Sequence, residues 1–511
     1  MAQDVDLFVI GGGVNGTAIA RDAAGRGLSV MLCEKGDLAA ATSSASTKLI
    51  HGGLRYLEYG EFRLVREALI EREVLLRAAP HIIRPLRLVL PRGRGARPAW
   101  MIRLGLFLYD HLGGRKLLPA SRAVRLDRDP RGAALADGIR RGFVFSDCRV
   151  DDARLVVLYA VDAAERGAVI RTRTTVEGAV RRGRSWRISI RDAAGRQETV
   201  TARALVNATG PWVSRVRDHI EGVGPRQAAL RLVKGSHIVT RRLYEGDHAY
   251  ILQNTDRRVV FAIPYEGAFT LIGTTDIPCD EPPEHPSVSA GEIDYLCRAV
   301  NRWLRRAIGP QDIVWSYAGV RPLYDDQAAD ASAVTRDYVL RIDATGGAAP
   351  LLSVFGGKIT TSRRLAEHGL DLLLRACGMT APAWTATATL PGGDIAGADL
   401  DALIAVLRPQ YPWLEGRVLR RLAHAYGTRV RHILGQARRR RDLGEDFGCG
   451  LSEAELDYLV STEWARTAED VLWRRSKLGL HLTPAEVGRV DKWMQQCLKQ
   501  RAEAAEASDR R

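Results

Sequence analysis

Three basic side chains stand beside glycines in widely separated parts of this sequence: Arg55 in IHGGLRYLE, Arg321 in YAGVRPLYDD and Lys358 in FGGKITT. Brought together by a fold, two guanidiniums and one ammonium would suit a dianionic phosphate, the arginines acting as bidentate forks. His51 lies just before the paired glycines of the first stretch, and its ordinary pKa near operating pH makes it the candidate general base. The glycines themselves, Gly52 and Gly53, imply that something approaches the backbone too closely for a β-carbon.

A second constellation sits at the start of the chain. Gly11, Gly13 and Gly16 form GxGxxG directly after DLFVI, and Glu34 closes the next apolar run. The first glycine makes the tight turn, the second admits a diphosphate to the amides, and the third packs helix on strand. The terminal carboxylate accepts from a ribose hydroxyl. This pattern is common to NAD and FAD. Two later stretches favour FAD. ALVNATGPW ends a strand in small residues, Ala208 and Gly210 among them, where a planar ligand must enter. FGGKITT places Gly356 and Gly357 at a helix N-terminus, with Thr360 following, and the partial positive charge there favours a flavin ring that becomes anionic on reduction.

These residues need a scaffold that the pattern supplies. A strand at 5–10, a helix to Gly25 and a strand at 28–34 make a βαβ opening. Residues 61–78 read as an amphipathic helix, 154–166 as a helix, and three alternating strands follow. The Pro-, Gly- and Arg-rich stretch 84–99 reads as a loop. Strand-like runs recur at 231–275 and 313–320, and 351–376 repeats the strand, glycine turn and helix. PGGD at 391–394 is a linker, and helices are expected at 399–408, 415–437, 452–463, 467–478 and 483–503.

At 511 residues two or three domains are expected. The formal charge of +15 implies an anionic partner: a phosphorylated substrate, nucleic acid or an anionic membrane. Aromatics at 6% and the lack of a recognisable binding module argue against nucleic acid. Seven scattered cysteines without a CxxC pair fit a reducing cytoplasm, with neither a disulfide framework nor a thiolate metal site. No secretory signal is read at the N-terminus, and no apolar run approaches the roughly 20 residues of a membrane span. The most apolar candidate, MIRLGLFLYDHL at 101–112, is short and contains Arg103.

The chain resembles the bacterial FAD-dependent aerobic (respiratory) glycerol-3-phosphate dehydrogenases, a D-amino-acid-oxidase-like flavoprotein group. The blocks DLFVIGGGVNG, ATSSASTKLIHGGLRYLE, FSDCRVDDARLV, LVNATGPWV, IGTTD, YAGVRPL, LLSVFGGK and LWRRSKLG carry the resemblance over nearly the whole length. It implies a Rossmann-like FAD-binding domain (1–80, rejoined by about 145–230 and 330–388), a mixed-sheet substrate or cap domain (81–144 and 231–329) and an all-helical C-terminal domain (389–511). It implies oxidation of glycerol 3-phosphate to dihydroxyacetone phosphate by hydride transfer to flavin N5, with electrons passed to membrane quinone. The rival reading of the same fold is an oxidase that uses oxygen and releases peroxide.

Matched onto this sequence, Gly11, Gly13, Asn15, Gly16 and Glu34 would contact the ADP moiety, and Thr42, Ser43, Ser44, Thr47, Lys48 and Gly53 the flavin. Arg55, Thr274, Arg321 and Lys358 would bind substrate, with Asp276 close by. His51, Arg321 and Lys358 are the expected catalytic set. The resemblance also implies a peripheral protein on the inner face of the cytoplasmic membrane, for which RGRGAR (92–97) and ARRRR (437–441) are candidate lipid contacts, and a homodimer. No metal is expected.

Overall fold

The strand Gln3–Ile10 buries Leu7, Phe8 and Val9 on both faces, as a central parallel strand must. It pairs in parallel with Val30–Cys33 on one side and Gln197–Asn207 on the other. Leu351–Phe355 adds to Gln197–Asn207, again in parallel. The computed structural model describes residues 3–93, 97–224, 230–256, 258–280, 284–324 and 337–509. Within them these strands belong to a nine-stranded sheet. The helices Val14–Gly25, Asp152–Glu165 and Ser362–Ala376 cover one face through Ile19, Leu155 and Leu365. The antiparallel strands Thr175–Arg182 and Ser185–Arg191 belong to the same sheet. Trp186, wholly buried with Ile188 and Phe8 in a second core, donates its indole N–H to Pro350 O at 3.0 Å.

A ten-stranded, mostly antiparallel sheet forms the second layer. Its longest pairing joins Leu230–Arg241 to Ile313–Tyr324, with Val233 opposite Arg321. Leu49–Ile50 and Arg141–Val150 also belong to this sheet and pair with each other. The first strip of the chain therefore crosses from one sheet to the other before residue 51.

Two expectations need correction. The stretch 84–99 is not a loop: Ile83–Pro91 is a strand and Ala99–Leu112 a helix. Pro85 is tolerated because it pairs only with Arg141–Val150, while the parallel neighbour Ala249–Gln253 meets the strand at Leu88 and Val89. The C-terminal helices are also more broken than their periodicity suggests. The expected 415–437 helix ends at Tyr426, before Gly427 at φ +56°, and resumes as Val430–Leu434. The expected 467–478 helix is a π-helical turn, Asp470–Arg475.

The C-terminal helices share one core, around Leu419, Phe447, Leu459 and Val471. They dock through buried charge: Arg154, on the helix Asp152–Glu165, pairs with Glu463, and its Nη2 donates to Ala425 O at 3.0 Å. Beside this pair lies His81. Its ring is wholly buried under Gly392 and Gly427, where a β-carbon would crowd it, and neither ring nitrogen has a hydrogen-bond partner among the described residues.

Burial, with Arg154 close by, pushes His81 down to about 3. The unfolded chain takes up this proton near the ordinary value of about 6.5. Stability contributed by the neutral ring is thus complete above that pH and is lost as pH falls towards 3. In urea denaturation between pH 7 and 4.5, His81→Gln is expected to flatten the acid loss of stability by up to about 1.4 kcal/mol per pH unit, one proton's worth. An unchanged slope would contradict this.

Candidate active site

The first glycine turn is built as its spacing requires. Gly11 takes φ +108°, and a β-carbon there would lie 2.8 Å from Ala208 O. One on Gly16 would overlap the Gly11 carbonyl, so the helix can seat on the strand only with glycine present. Gly13 is the N-cap of the helix Val14–Gly25 and offers no side-chain cap, so Val14 N goes instead to Ser43 Oγ. Both Glu34 oxygens accept backbone hydrogen bonds, from Gly12 N at 2.7 Å and Gly36 N at 2.8 Å. Burial nevertheless raises its pKa.

Asn15 joins this turn to the second one. Its Nδ2 donates to Gly356 O at 3.1 Å, while its buried Oδ1 has no partner among the described residues. Gly356 and Gly357 both have positive φ, and a β-carbon on either would meet Asp337 O or the Asn15 amide near 3 Å. Between the turns lies a cavity of about 590 Å³. Gly11, Gly13, Asn15, Glu34, Thr42, Ser43, Ala208, Gly210, Gly356 and Gly357 line it. Lys35, Thr209 and Trp212 line it too and were missed from sequence, although NATGPW and the residue after Glu34 pointed to them. Ser44 lines an adjoining cavity of about 420 Å³.

The segment 42–48 runs between the two sheets. Thr42 Oγ1 donates to Val320 O at 2.7 Å, Ser43 Oγ accepts from Val14 N at 3.0 Å, and Thr47 Oγ1 lies 2.9 Å from His237 Nε2. Lys48 turns away from the cavity: its ammonium binds both Asp152 oxygens at 2.8 and 2.9 Å. Any part it takes in holding a ligand must come from its backbone. Burial opposes ionisation of Asp152, but Lys48 outweighs it and holds the carboxyl below the usual range.

The paired glycines have a different cause from the one expected. A β-carbon on Gly52 would overlap Leu69 and crowd Tyr109, and one on Gly53 would overlap the Tyr56 ring. Protein atoms, not a ligand, exclude side chains here. Gly52 N donates to Tyr109 Oη at 2.7 Å, and that hydroxyl donates to Asp147 at 2.7 Å. The adjacent His51 N donates to Thr360 Oγ1 at 3.3 Å, bringing the histidine segment onto the second glycine turn.

The three cations have unequal surroundings. Arg321 Nη1 donates to Asp276 at 2.6 Å, and its Nη2 to Thr275 O at 2.9 Å and Thr274 Oγ1 at 3.2 Å. A β-carbon on Gly235 would overlap this guanidinium, so the facing strand leaves it room. Pro322, next to Arg321, abuts Gly356, which joins this strand to the turn carrying Lys358. Lys358 Nζ lies 4.1 Å from the Tyr56 ring centroid; it is buried and has no hydrogen-bond acceptor among the described residues. Arg55, by contrast, reaches along its own turn to Tyr59 Oη at 3.4 Å. Tyr56, whose face carries the Lys358 charge, was not foreseen.

Residues 6–363 match the model of the family described as FAD dependent oxidoreductase, and residues 383–505 that of the C-terminal domain of alpha-glycerophosphate oxidase. The chain belongs to the FAD dependent oxidoreductase family. It is 53% identical over 492 residues to D-erythritol 1-phosphate dehydrogenase of Brucella abortus (strain 2308), covering 96% of this chain and 98% of that one. It is 53% identical over 496 residues to glycerol-3-phosphate dehydrogenase of Pseudomonas aeruginosa, covering 97% and 96%. Among solved structures it resembles the glycerol-3-phosphate dehydrogenase from Bacillus halodurans complexed with FAD, with a TM-score of 0.75 and 27% identity, covering 98% of this chain and 90% of that one.

The residues present fit FAD. The positive end of the helix Val14–Gly25 suits a diphosphate, and the half-buried Glu34 carboxylate has lone pairs left for ribose hydroxyls. The unpaired Asn15 Oδ1 at the cavity wall is an acceptor awaiting a donor.

Proposed function

We propose that this enzyme oxidises glycerol 3-phosphate to dihydroxyacetone phosphate and passes the electrons to a membrane quinone. Bound FAD supplies the two-electron acceptor that takes the hydride from C2. The observation that carries the substrate reading is Lys358: a buried ammonium without a hydrogen-bond acceptor among the described residues calls for an anionic ligand. Arg321, already braced by Asp276, offers a second cation without reorganisation, and Thr274 lies within the same hydrogen-bond set. Arg55 would join them by swinging off Tyr59. His51, held at the backbone against Thr360, would take the proton from the C2 hydroxyl as the hydride departs.

A four-carbon substrate is the second reading, favoured by the relative named D-erythritol 1-phosphate dehydrogenase, whose identity equals that of the glycerol-3-phosphate relative. The ratio of kcat/KM values for the two phosphates decides between them.

For the membrane we propose the helix Ala99–Leu112, which buries Ile102, Leu106 and Tyr109 and exposes Trp100, Met101, Leu104 and Phe107, Trp100 at 66%. Exposed Tyr59 and Phe62 lie on the elements packed beside it. Exposed aromatics on an amphipathic helix in a chain of charge +15 suit the interface of an anionic bilayer. Among the described residues no helix is long and apolar enough to cross a membrane. Of the two basic candidates, ARRRR has two of its four arginines paired, Arg439 with Asp442 and Arg440 with Asp446. RGRGAR precedes the apolar helix, but its residues 94–96 lie outside the described residues.

Lys358→Met is expected to raise KM for glycerol 3-phosphate by about 10- to 100-fold, from loss of a charge-assisted contact, while leaving thermal stability equal or higher. Unchanged KM would contradict the phosphate role. Trp100→Asp combined with Phe107→Asp is expected to abolish flotation with vesicles containing anionic phospholipid while preserving activity with a soluble electron acceptor. Undiminished flotation would remove this helix from the membrane face.

A further inference from the structure

The C-terminal domain reaches the turn after Glu34 through the π-helical turn Asp470–Arg475, whose Trp473 and Arg474 line the adjoining cavity. A π turn widens the helix and redirects successive side chains, and such turns recur at functional sites. Here three consecutive residues reach two different structures: the first packs on the strand that carries Arg321, and the next two converge on Asp37. Trp473 stacks on Trp315, with centroids 4.6 Å apart and planes 27° apart, and Trp315 lies on the strand that carries Arg321. Arg474 Nε donates to Asp37 Oδ2 at 2.7 Å. Arg475, fully buried, grips Asp37 as a bidentate fork at 2.5 and 2.8 Å and donates to Glu463 O at 2.5 Å.

Asp37, itself 3% exposed, is three residues beyond Glu34. The turn between them is part of the cavity wall through Glu34, Lys35, Gly36, Ala39 and Ala40. A second link runs through its other side. Gly36 O accepts from Arg173 N at 2.9 Å, and Arg173 Nη2 donates to Asp470 Oδ2 at 2.6 Å. The same turn holds Ala39 at φ +59°, a conformation that a non-glycine residue keeps only when its surroundings enforce it. The turn carrying the ribose-facing carboxylate is thus clamped from the C-terminal domain at both Asp37 and Arg173.

We propose that Arg474 and Arg475, acting through Asp37, are positioning residues for FAD: the C-terminal domain sets how tightly the flavin enzyme retains its cofactor. A freed turn would let the Glu34 carboxylate leave the amides of Gly12 and Gly36, and the adenosine side of the cavity would lose its shape. A buried ion pair with no such role would stabilise the apoprotein and the holoenzyme alike. The two cases differ in what the cofactor adds.

The test uses the full-length holoenzyme and compares Asp37→Asn and Arg474→Lys with Arg421→Lys. The last disturbs another C-terminal ion pair, Arg421–Glu455 at 2.6 Å, remote from Asp37 in the hydrogen-bond network. FAD release is followed by flavin fluorescence on dilution, and Tm is measured with and without FAD. Asp37→Asn and Arg474→Lys are expected to weaken FAD binding about tenfold and to shrink the gap between holo and apo Tm. Arg421→Lys is expected to lower both Tm values together and leave FAD affinity unchanged. Should Asp37→Asn fail to fold, Arg474→Lys, at the rim of the pair, carries the same readout. Unaltered FAD affinity with an unaltered Tm gap in the clamp variants, or an equal loss of affinity in Arg421→Lys, would overturn the proposal.

Discussion

The ion pair between Lys48 and Asp152 fixes the strip on which the two sheets meet. Both side chains are buried, the ammonium sits on both carboxylate oxygens, and Ser46 Oγ donates to the same carboxylate at 2.7 Å. Around it, residues 42–47 bond in one direction to the nucleotide-type domain, through Val14 N, and in the other to the substrate sheet, through Val320 O and His237. Tyr317 Oη closes the arrangement by donating to Ser46 O at 2.8 Å. A buried pair adds little net stability when intact, but losing one partner leaves an uncompensated charge at a cost of about 3–5 kcal/mol. The strip therefore holds one register of sheet against sheet.

That register decides what each basic residue can do. Several of the arginines are buried in structural ion pairs: Arg154 with Glu463, Arg475 with Asp37, Arg363 with Glu71, Arg72 with Asp147. Arg321 is braced but half exposed, and Lys358 is enclosed with only an aromatic face beside it. An ammonium under those conditions carries an unmet demand for an anion, and it stands where the histidine segment and the second glycine turn come together. The Asn15 amide ties the second glycine turn to the first, which keeps this region next to the cavity between them.

The glycine fingerprint was legible because its physics is local: turn, helix N-terminus and following strand lie within 34 residues and need no tertiary information. The cavity residues Gly11, Gly13 and Glu34 followed from it, and Ala208, Gly356 and Gly357 from the stretches ALVNATGPW and FGGKITT. What sequence missed depended on distant partners. Gly52 and Gly53 looked like ligand contacts and are packing glycines, because Leu69 and Tyr109 come in from two later helices and Tyr56 folds back from the turn that Gly53 opens. Lys48 looked like a cofactor residue, and Asp152, 104 positions on, takes its charge. The strand Ile83–Pro91 was hidden by prolines that only its pairing pattern makes harmless. The turn Asp470–Arg475 has helical composition but not an α-helical path, since Trp473 answers to Trp315 while Arg474 and Arg475 both answer to Asp37.

The account rests on a phosphate being what Lys358 and Arg321 await. The most direct test mixes the enzyme anaerobically with glycerol 3-phosphate or with unphosphorylated glycerol and follows loss of the yellow flavin absorbance. Glycerol 3-phosphate is expected to bleach the flavin within a turnover, while glycerol at the same concentration leaves it oxidised. Comparable bleaching by glycerol would contradict the account.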